Sequence, residues 1–486
     1  MKFLRLISFV TATAFLLSAF SGCSKEEIEE ETYHTTEEST LEVEEPVEFH
    51  PYIEKKEYNE DFYFTVHEIN RSKLYWVEES SSNVLTDAIY NRQIAIRDHL
   101  GVNVYGTSVI DADLYLAKLK TAAMNKDNSM HLMVSHPYHG VSSFISENLL
   151  VDFNEIDAID LDASYWNRDL MEQLSLNGRL YLGFSDFNIG ITSVVAFNKE
   201  IYDQYKDHIG ESLYSLVDDH RWTLEKMISV ASLVSIDKSS DGKTVDDTFG
   251  IVGDYDLGYI IMLQASDINL IEQDDSGDYV VSVLSERTKE KAYGLVEKLQ
   301  SLAKSQNAYF VEENYIEVPR EIFADGRALM RLTETHLLPD LLSADLDFGV
   351  LPYPMYDEGQ RDVGYRHMQW GGYLCIPAYL KNPDMVFETI ELLSYLGEDV
   401  NVAYYDRLLG KQVADVPDDR RMLDIVWDSL CSDIGFTYQG VVGSEFYMLT
   451  AKVASAGGSG NIASFVAMYE SSANRKLKKY VMSTSK

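Results

Sequence analysis

Three short runs of this chain combine hydrogen-bonding groups with aromatic faces. His136-Pro137-Tyr138-His139 follows an apolar run ending at Ser135. If that run is a strand, the loop lies beyond its carboxyl end, where open α/β sheets bind ligands. Tyr138 could then stack on a flat hydroxylated ring and His136 or His139 could hydrogen-bond its hydroxyls. The competing reading is a surface turn set by Pro137. Asp186-Phe187-Asn188 supplies a carboxylate acceptor and an amide that both donates and accepts. That set suits vicinal hydroxyls, and it equally suits local turn capping. Trp370 precedes Gly371-Gly372, whose missing side chains would let a ligand approach the indole face.

Metal and catalytic readings are weaker. Asp237, Ser239 and Asp241 stand at positions 1, 3 and 5 of a run with Gly242 at 6, like the first half of a calcium loop. Position 12 is Thr248 instead of a bidentate Glu, so a plain polar loop competes. No other cofactor is expected. His131, His136 and His139 are close in sequence, but a strand and a Pro turn would point them apart. The chain has no H-E-x-x-H, G-x-S-x-G or P-loop motif. Carboxylates are numerous enough for a glycosidase pair, but none can be paired from sequence. The chain is therefore read as a binder and not an enzyme.

The elements that must hold these residues alternate between strand and helix. Residues 61–67 alternate apolar and polar side chains as a strand does. Residues 83–100 read as an amphipathic helix ending at Gly101. A strand from residue 102, a helix over 114–124 and a buried strand over 131–135 follow. Residues 193–198 read as a strand, and Thr223 caps a helix running to residue 233. Residues 274–278 carry a hairpin-turn signature before a strand at 280–283. A helix is expected over 286–301, and strands over 348–351 and 373–376. Asn382 and Pro383 open a helix that Gly397 is expected to end. Residues 462–481 form a last helix with a basic end. Such alternation implies βαβ units on mostly parallel sheets, an α/β fold.

The amino-terminal segment is of another kind. Lys2 and Arg5 precede an uncharged apolar run over residues 6–19. A membrane span needs about 20 apolar residues, so this is read as a secretory signal. Small residues then lead into Cys23. Residues 24–60 hold fourteen Glu against three Lys and are read as an acidic flexible tether. The net charge is −38, and loss of Lys2 and Arg5 with the signal makes it −40. Such a charge repels nucleic acid and anionic lipid surfaces. Cys375 and Cys431 are expected as buried thiols. Tyr is abundant, at 32 residues, but most of these should serve the core; Trp166 and Trp427 are also read as core.

Several blocks resemble one family. Ser18-Ala19-Phe20-Ser21-Gly22-Cys23 is similar to the lipobox of bacterial lipoproteins, with Phe20 where Leu is usual. Leu176-Asn177-Gly178-Arg179-Leu180-Tyr181, Val195-Ala196-Phe197-Asn198-Lys199, Trp222-Thr223-Leu224-Glu225, Phe323-Ala324-Asp325-Gly326-Arg327-Ala328, Phe348-Gly349-Val350-Leu351-Pro352 and Gly371-Gly372-Tyr373 occur in this order. Together they resemble the extracellular solute-binding proteins of ABC importers, in the group whose best-known members bind maltodextrins and other sugars. The resemblance implies a type II, two-lobed periplasmic-binding-protein-like fold with a ligand closed between the lobes. It implies lipidation at Cys23, anchoring on the extracytoplasmic face of the cell membrane, permease subunits as partners and a monomer. It places residues 61–190 and about 370–425 in one lobe, and 191–369 and about 426–486 in the other. It puts Asp186, Phe187 and Asn188 at the first hinge crossing, and it adds Asp254 and Tyr255 as an acid and an aromatic from the second lobe. Thr335 and His336 stand where relatives often carry an aromatic. An oligosaccharide is the implied ligand; a peptide or another polar solute is the alternative.

Overall fold

The computed structural model describes residues 53–67, 72–109, 112–125, 129–136, 140–189, 191–240, 242–341, 346–369, 371–409, 417–455, 457–458 and 460–484. Cys23, Tyr138, Asp241 and Trp370 lie outside them, as does the signal reading. Two sheets organise what is described. The first has four strands in the spatial order Tyr373–Cys375, Leu132–Ser135, Glu60–His67, Val102–Val109. Its last three are parallel, and Tyr373–Cys375 returns antiparallel beside Leu132–Ser135. The second has five strands in the order Phe348–Leu351, Ser193–Asn198, Ala328–Glu334, Phe249–Asp254, Ala308–Val311. Here the pairings from Ala328–Glu334 through Phe249–Asp254 to Ala308–Val311 are parallel, and Ser193–Asn198 runs antiparallel to both its neighbours. The fold is a mixed α/β architecture with helices flanking each sheet.

Local signals explain the first βαβ unit. Phe62, Phe64 and Val66 are fully buried on one side of their strand. The helix Val84–Leu100 starts where the Asn83 side chain accepts from the backbone N–H groups of Leu85 at 3.1 Å and Thr86 at 3.3 Å. It ends at Gly101, whose φ of 66° is left-handed and favours glycine. The strand Val102–Val109 then pairs with Glu60–His67 along its whole length.

Three expectations need correction. The acidic stretch is not tether to residue 60. Ile53 is buried, its carbonyl lies 2.9 Å from His99 Nε2, and Lys56 bridges to Glu388 at 2.5 Å. An apolar side chain and a partly buried ion pair hold the chain there. Gly397 does not end the helix Pro383–Tyr395; it opens the next, Gly397–Leu409. A Cβ at this position would lie 2.2 Å from the Asp186 carbonyl oxygen, so the glycine serves close approach. Trp427 is only half-buried, unlike Trp166.

The helix Pro417–Asp428 is fastened to the second sheet by the fully buried Asp419. Its carboxylate accepts from Lys199 Nζ at 2.9 Å, the Tyr214 hydroxyl at 2.6 Å and the Val350 N–H at 2.8 Å. The helix Gly397–Leu409 instead packs against Val84–Leu100 beside the first sheet. Cys375 and Cys431 are buried and unpaired with each other. No helix among the described residues is long and apolar enough to cross a membrane.

Candidate ligand-binding cleft

Strand register brings the crossings between the sheets to one rim. Tyr373 lies opposite Ser135, so Gly371-Gly372 reaches the first sheet at the carboxyl end of Leu132–Ser135. Ser193 lies opposite Glu334, so Ile191-Thr192 enters the second sheet at the carboxyl end of Ala328–Glu334. The crossings are tied together. The Thr192 hydroxyl donates to the Met368 carbonyl at 2.9 Å, and the Thr335 N–H donates to the Thr192 carbonyl at 2.9 Å. Asn188 staples the other end: its amide donates to the Gly372 carbonyl and accepts from the Ser185 N–H at 2.9 Å. Ligands of open α/β sheets sit beyond such carboxyl ends.

On the first lobe this rim carries His136, directly after Ser135. The imidazole is buried, and burial together with nearby His67 pushes its pKa down to about 3. It is neutral at ordinary pH, with one ring nitrogen to donate and one to accept. Tyr138 and Trp370 fall outside the described residues, although their neighbours His136 and Gly371 reach the same rim.

On the second lobe the rim is acidic and aromatic. Asp254 ends the strand Phe249–Asp254 and accepts from the Leu257 N–H at 2.6 Å. Its pKa is pushed up to about 7, chiefly by burial, with Asp256 adding repulsion. Burial and Glu312 push Asp256 up to about 6. A π-helical turn, Asp256–Ile260, follows; such turns are frequent at functional sites. Tyr255 lies edge-on to Tyr259 at 5.1 Å, and Tyr259 edge-on to Phe310 at 5.2 Å. Tyr255, Tyr259 and Phe310 line a cavity of about 750 Å³ with Glu312, Glu313 and Lys452. At the end of Ala328–Glu334, His336 Nδ1 lies 3.5 Å from Glu334.

The candidate residues therefore separate. His136 and the pair Asp254–Tyr255 sit on the two rims. Phe187 does not: its buried ring packs edge-on against Phe64 and Tyr75, under the Arg92 guanidinium. Asn188 is spent on the crossing. Asp186 faces a different cavity, of about 560 Å³, beside Tyr165, Tyr405 and Trp427. Asp237 caps its own loop, accepting from the N–H groups of Ser240 at 2.6 Å and Gly242 at 3.2 Å. Among the described residues no group of three or more His, Cys, Asp or Glu is placed to hold a metal. Sequence reasoning missed Tyr259, Phe310 and Glu312. Tyr259 carries a signal, since it stands four residues after Tyr255 and so shares its helical face; Phe310 sits on the short strand Ala308–Val311, which no local pattern marks.

The comparisons agree with this layout. The model of the family described as bacterial extracellular solute-binding protein matches residues 97–411, more than half of the chain, and the chain belongs to that family. No curated protein sequence matches it. Among solved structures it is similar to the GacH receptor of Streptomyces glaucescens, known unliganded and in complex with acarbose. That pair has 16% identity and a TM-score of 0.57, covering 87% of this chain and 99% of that one. It is also similar to an ABC substrate-binding protein of Listeria monocytogenes in complex with cycloalternan, at 12% identity and a TM-score of 0.55, covering 86% and 99%. A third is the maltose/maltodextrin-binding domain of Bdellovibrio bacteriovorus bound to maltotriose, at 13% identity and a TM-score of 0.52, covering 87% and 98%. These likenesses show the two-lobed binding-protein fold. The chain is an extracellular solute-binding protein.

Proposed function

We propose that the protein captures an oligosaccharide between its lobes and delivers it to the permease subunits of an ABC importer, without chemical turnover. The observation that carries this reading is the second-lobe rim. The edge-to-face rings of Tyr255, Tyr259 and Phe310 line one cavity with Glu312, and Asp254 and Asp256 flank Tyr255 at the end of the same strand. Aromatic faces pack on the apolar faces of sugar rings, and carboxylates accept from their hydroxyls. His136 stands on the opposite rim, at the carboxyl end of Leu132–Ser135. The solved relatives named above were captured with acarbose, cycloalternan and maltotriose, which supports the same ligand class here.

The lipobox-like run at Cys23 supports a lipid anchor on the outer face of the membrane, with residues 24–52 as the spacer. A monomer serves this role. The proposed lobes are residues 61–190 with about 370–425, and residues 191–369 with about 426–486; the two sheets, one holding Glu60–His67 and the other Ser193–Asn198, support that division.

The test is thermal unfolding of the purified chain with maltotriose, other oligosaccharides and peptides. A ligand present at 100 times its dissociation constant adds about 2.7 kcal/mol of stability. Stabilisation by one oligosaccharide class, with no product released from it, is the expected result. Stabilisation by peptides alone would replace the carbohydrate reading with a peptide one.

A further inference from the structure

A cavity of about 390 Å³, sharing no residue with the cleft, lies where three helices meet. They are Val141–Ser146, Gln439–Val442 and Ile462–Thr484. The last is held in place: the Tyr480 hydroxyl donates to the Ser142 carbonyl at 2.9 Å, and Asn474 accepts from the Val281 N–H at 2.8 Å. Lys476 and Lys479, three residues apart and so on one helix face, line the cavity with Ser142, Ser143, Ser146 and Ser483. Lys476 Nζ reaches the end of Gln439–Val442, 4.0 Å from where a Cβ on Gly443 would stand. Gly440 keeps the space clear, since a Cβ there would lie 2.6 Å from Ser142 Oγ.

The lining holds no carboxylate, and its donors are unspent. Asp and Glu outnumber Lys and Arg in the chain by 79 to 41, and neighbouring lysines pair with them. Lys478, on the same helix, lies 2.8 Å from Asp278, and Lys120 lies 2.7 Å from Glu147. Lys476 and Lys479 pair with no carboxylate among the described residues. Ser142 is only 6% exposed, and neither its hydroxyl nor that of Ser143 makes a hydrogen bond to a described residue. The Ser146 and Ser483 hydroxyls, by contrast, donate to the carbonyls of Ser143 at 3.1 Å and Tyr480 at 2.7 Å. Two ammonium groups and two hydroxyls, all able to donate, therefore line one concave space.

Those groups define the occupant. A cation would be repelled, and a neutral sugar would leave two like charges uncompensated. A carboxylate would balance one of them. A phosphate group carries about −1.5 to −2 charge at pH 7 and has three acceptor oxygens, which matches two ammonium groups and two hydroxyls. The net charge of −38 does not forbid this, because salt screens charges beyond about 8 Å and the two lysines act at shorter range. We propose that this cavity is a phosphate site, taking free phosphate or the phosphate end of a small ester. The site stands independently of the ligand proposed for the cleft.

The experiment is calorimetric titration of the purified chain at pH 7 with inorganic phosphate, with sn-glycerol 3-phosphate and with glycerol as the uncharged control. It is repeated on Lys476→Gln, Lys479→Gln and Ser142→Ala, and on Lys478→Gln, a change on the same helix outside the cavity. Both cavity lysines are exposed, so their variants should keep the parent's unfolding midpoint. Phosphate should bind saturably and glycerol should not. Each cavity lysine variant should weaken phosphate about tenfold, equal to about 1.4 kcal/mol, while Lys478→Gln leaves it unchanged. Ser142→Ala, which removes no charge, should weaken it too, as a built site requires. Binding of glycerol 3-phosphate as well would make an ester the occupant; binding of phosphate alone would make it the free ion. Absence of saturable phosphate binding overturns the proposal, as does binding that ignores the cavity substitutions. An equal loss in Lys478→Gln would also overturn it, by showing a diffuse attraction to the basic helix end instead of a site.

Discussion

Tyr255 owes its place to the strand it follows. Phe249–Asp254 ends at the rim, and the π-helical turn after it brings Tyr259 round to meet the Tyr255 ring. Tyr255 is half-buried and packs edge-on against Tyr259, so Tyr255→Ala should lower stability by only about 1–2 kcal/mol, leaving the folded protein fit for titration. Its oligosaccharide affinity should fall about tenfold, because an aromatic contact contributes about 0.5–1.5 kcal/mol beyond the area it covers. Calorimetry checks this, and equal affinities would remove Tyr255 from the platform. Asp254 sets a pH dependence. An aspartate in an unfolded chain titrates near about 3.9, whereas Asp254 in the fold titrates near about 7. Between those values the folded state holds more protons, so Asp254 makes unliganded stability fall as pH rises through this window. Asp254→Asn should flatten that fall in thermal unfolding at a series of pH values; an unchanged slope would mean Asp254 is not the group responsible. The sequence already pointed to this acid and aromatic, but only through family likeness. Nothing local in Asp254-Tyr255 reveals that burial raises one and that Phe310, on a separate strand, backs the other through Tyr259.

At the scale of elements, the caps were readable and the junctions were not. Asn83, Thr223 and Asn382 each accept the helix-start N–H groups their sequence contexts predict, because a cap is satisfied within three residues. Gly397 misleads a local reading for the same reason. A glycine after an apolar stripe looks like a helix end locally, yet its partner is Asp186, far away in the chain. Gly397→Ala should destabilise the protein by about 1–3 kcal/mol, the usual cost of overpacking. Its Cβ would meet a carbonyl oxygen instead of a flexible side chain. Denaturant unfolding measures this, and a neutral result would mean the two helices separate easily at that point. Glu391 is a second long-range junction. Fully buried, it accepts from the Tyr165 hydroxyl at 2.7 Å, Trp166 Nε1 at 2.8 Å and the Asp160 N–H at 3.1 Å. Glu391→Leu should cost at least about 3 kcal/mol, since three donors lose one acceptor; a smaller loss in the same unfolding measurement would show that they find other partners.

For the whole molecule, the family and the two-sheet α/β design follow from motifs in a fixed order, and the anchor hypothesis follows from Cys23 and the acidic run after it. Cys23→Ala should release the protein from membranes into the medium while its unfolding midpoint stays the same. Fractionation tests this, and a variant that remains with the membrane would refute a lipid anchor at Cys23. The sequence by itself determined what short range controls: the alternation of strand and helix, the helix caps, the family blocks and the chemical types available for binding. The tertiary structure alone decided which of those residues share a space. It took Phe187 into a buried aromatic cluster, used Asn188 to tie the crossings, gave Asp186 a cavity of its own and joined Tyr259 and Phe310 to Tyr255. Strand register and helix packing set those outcomes, and both depend on contacts between residues tens to hundreds of positions apart, which no local pattern records.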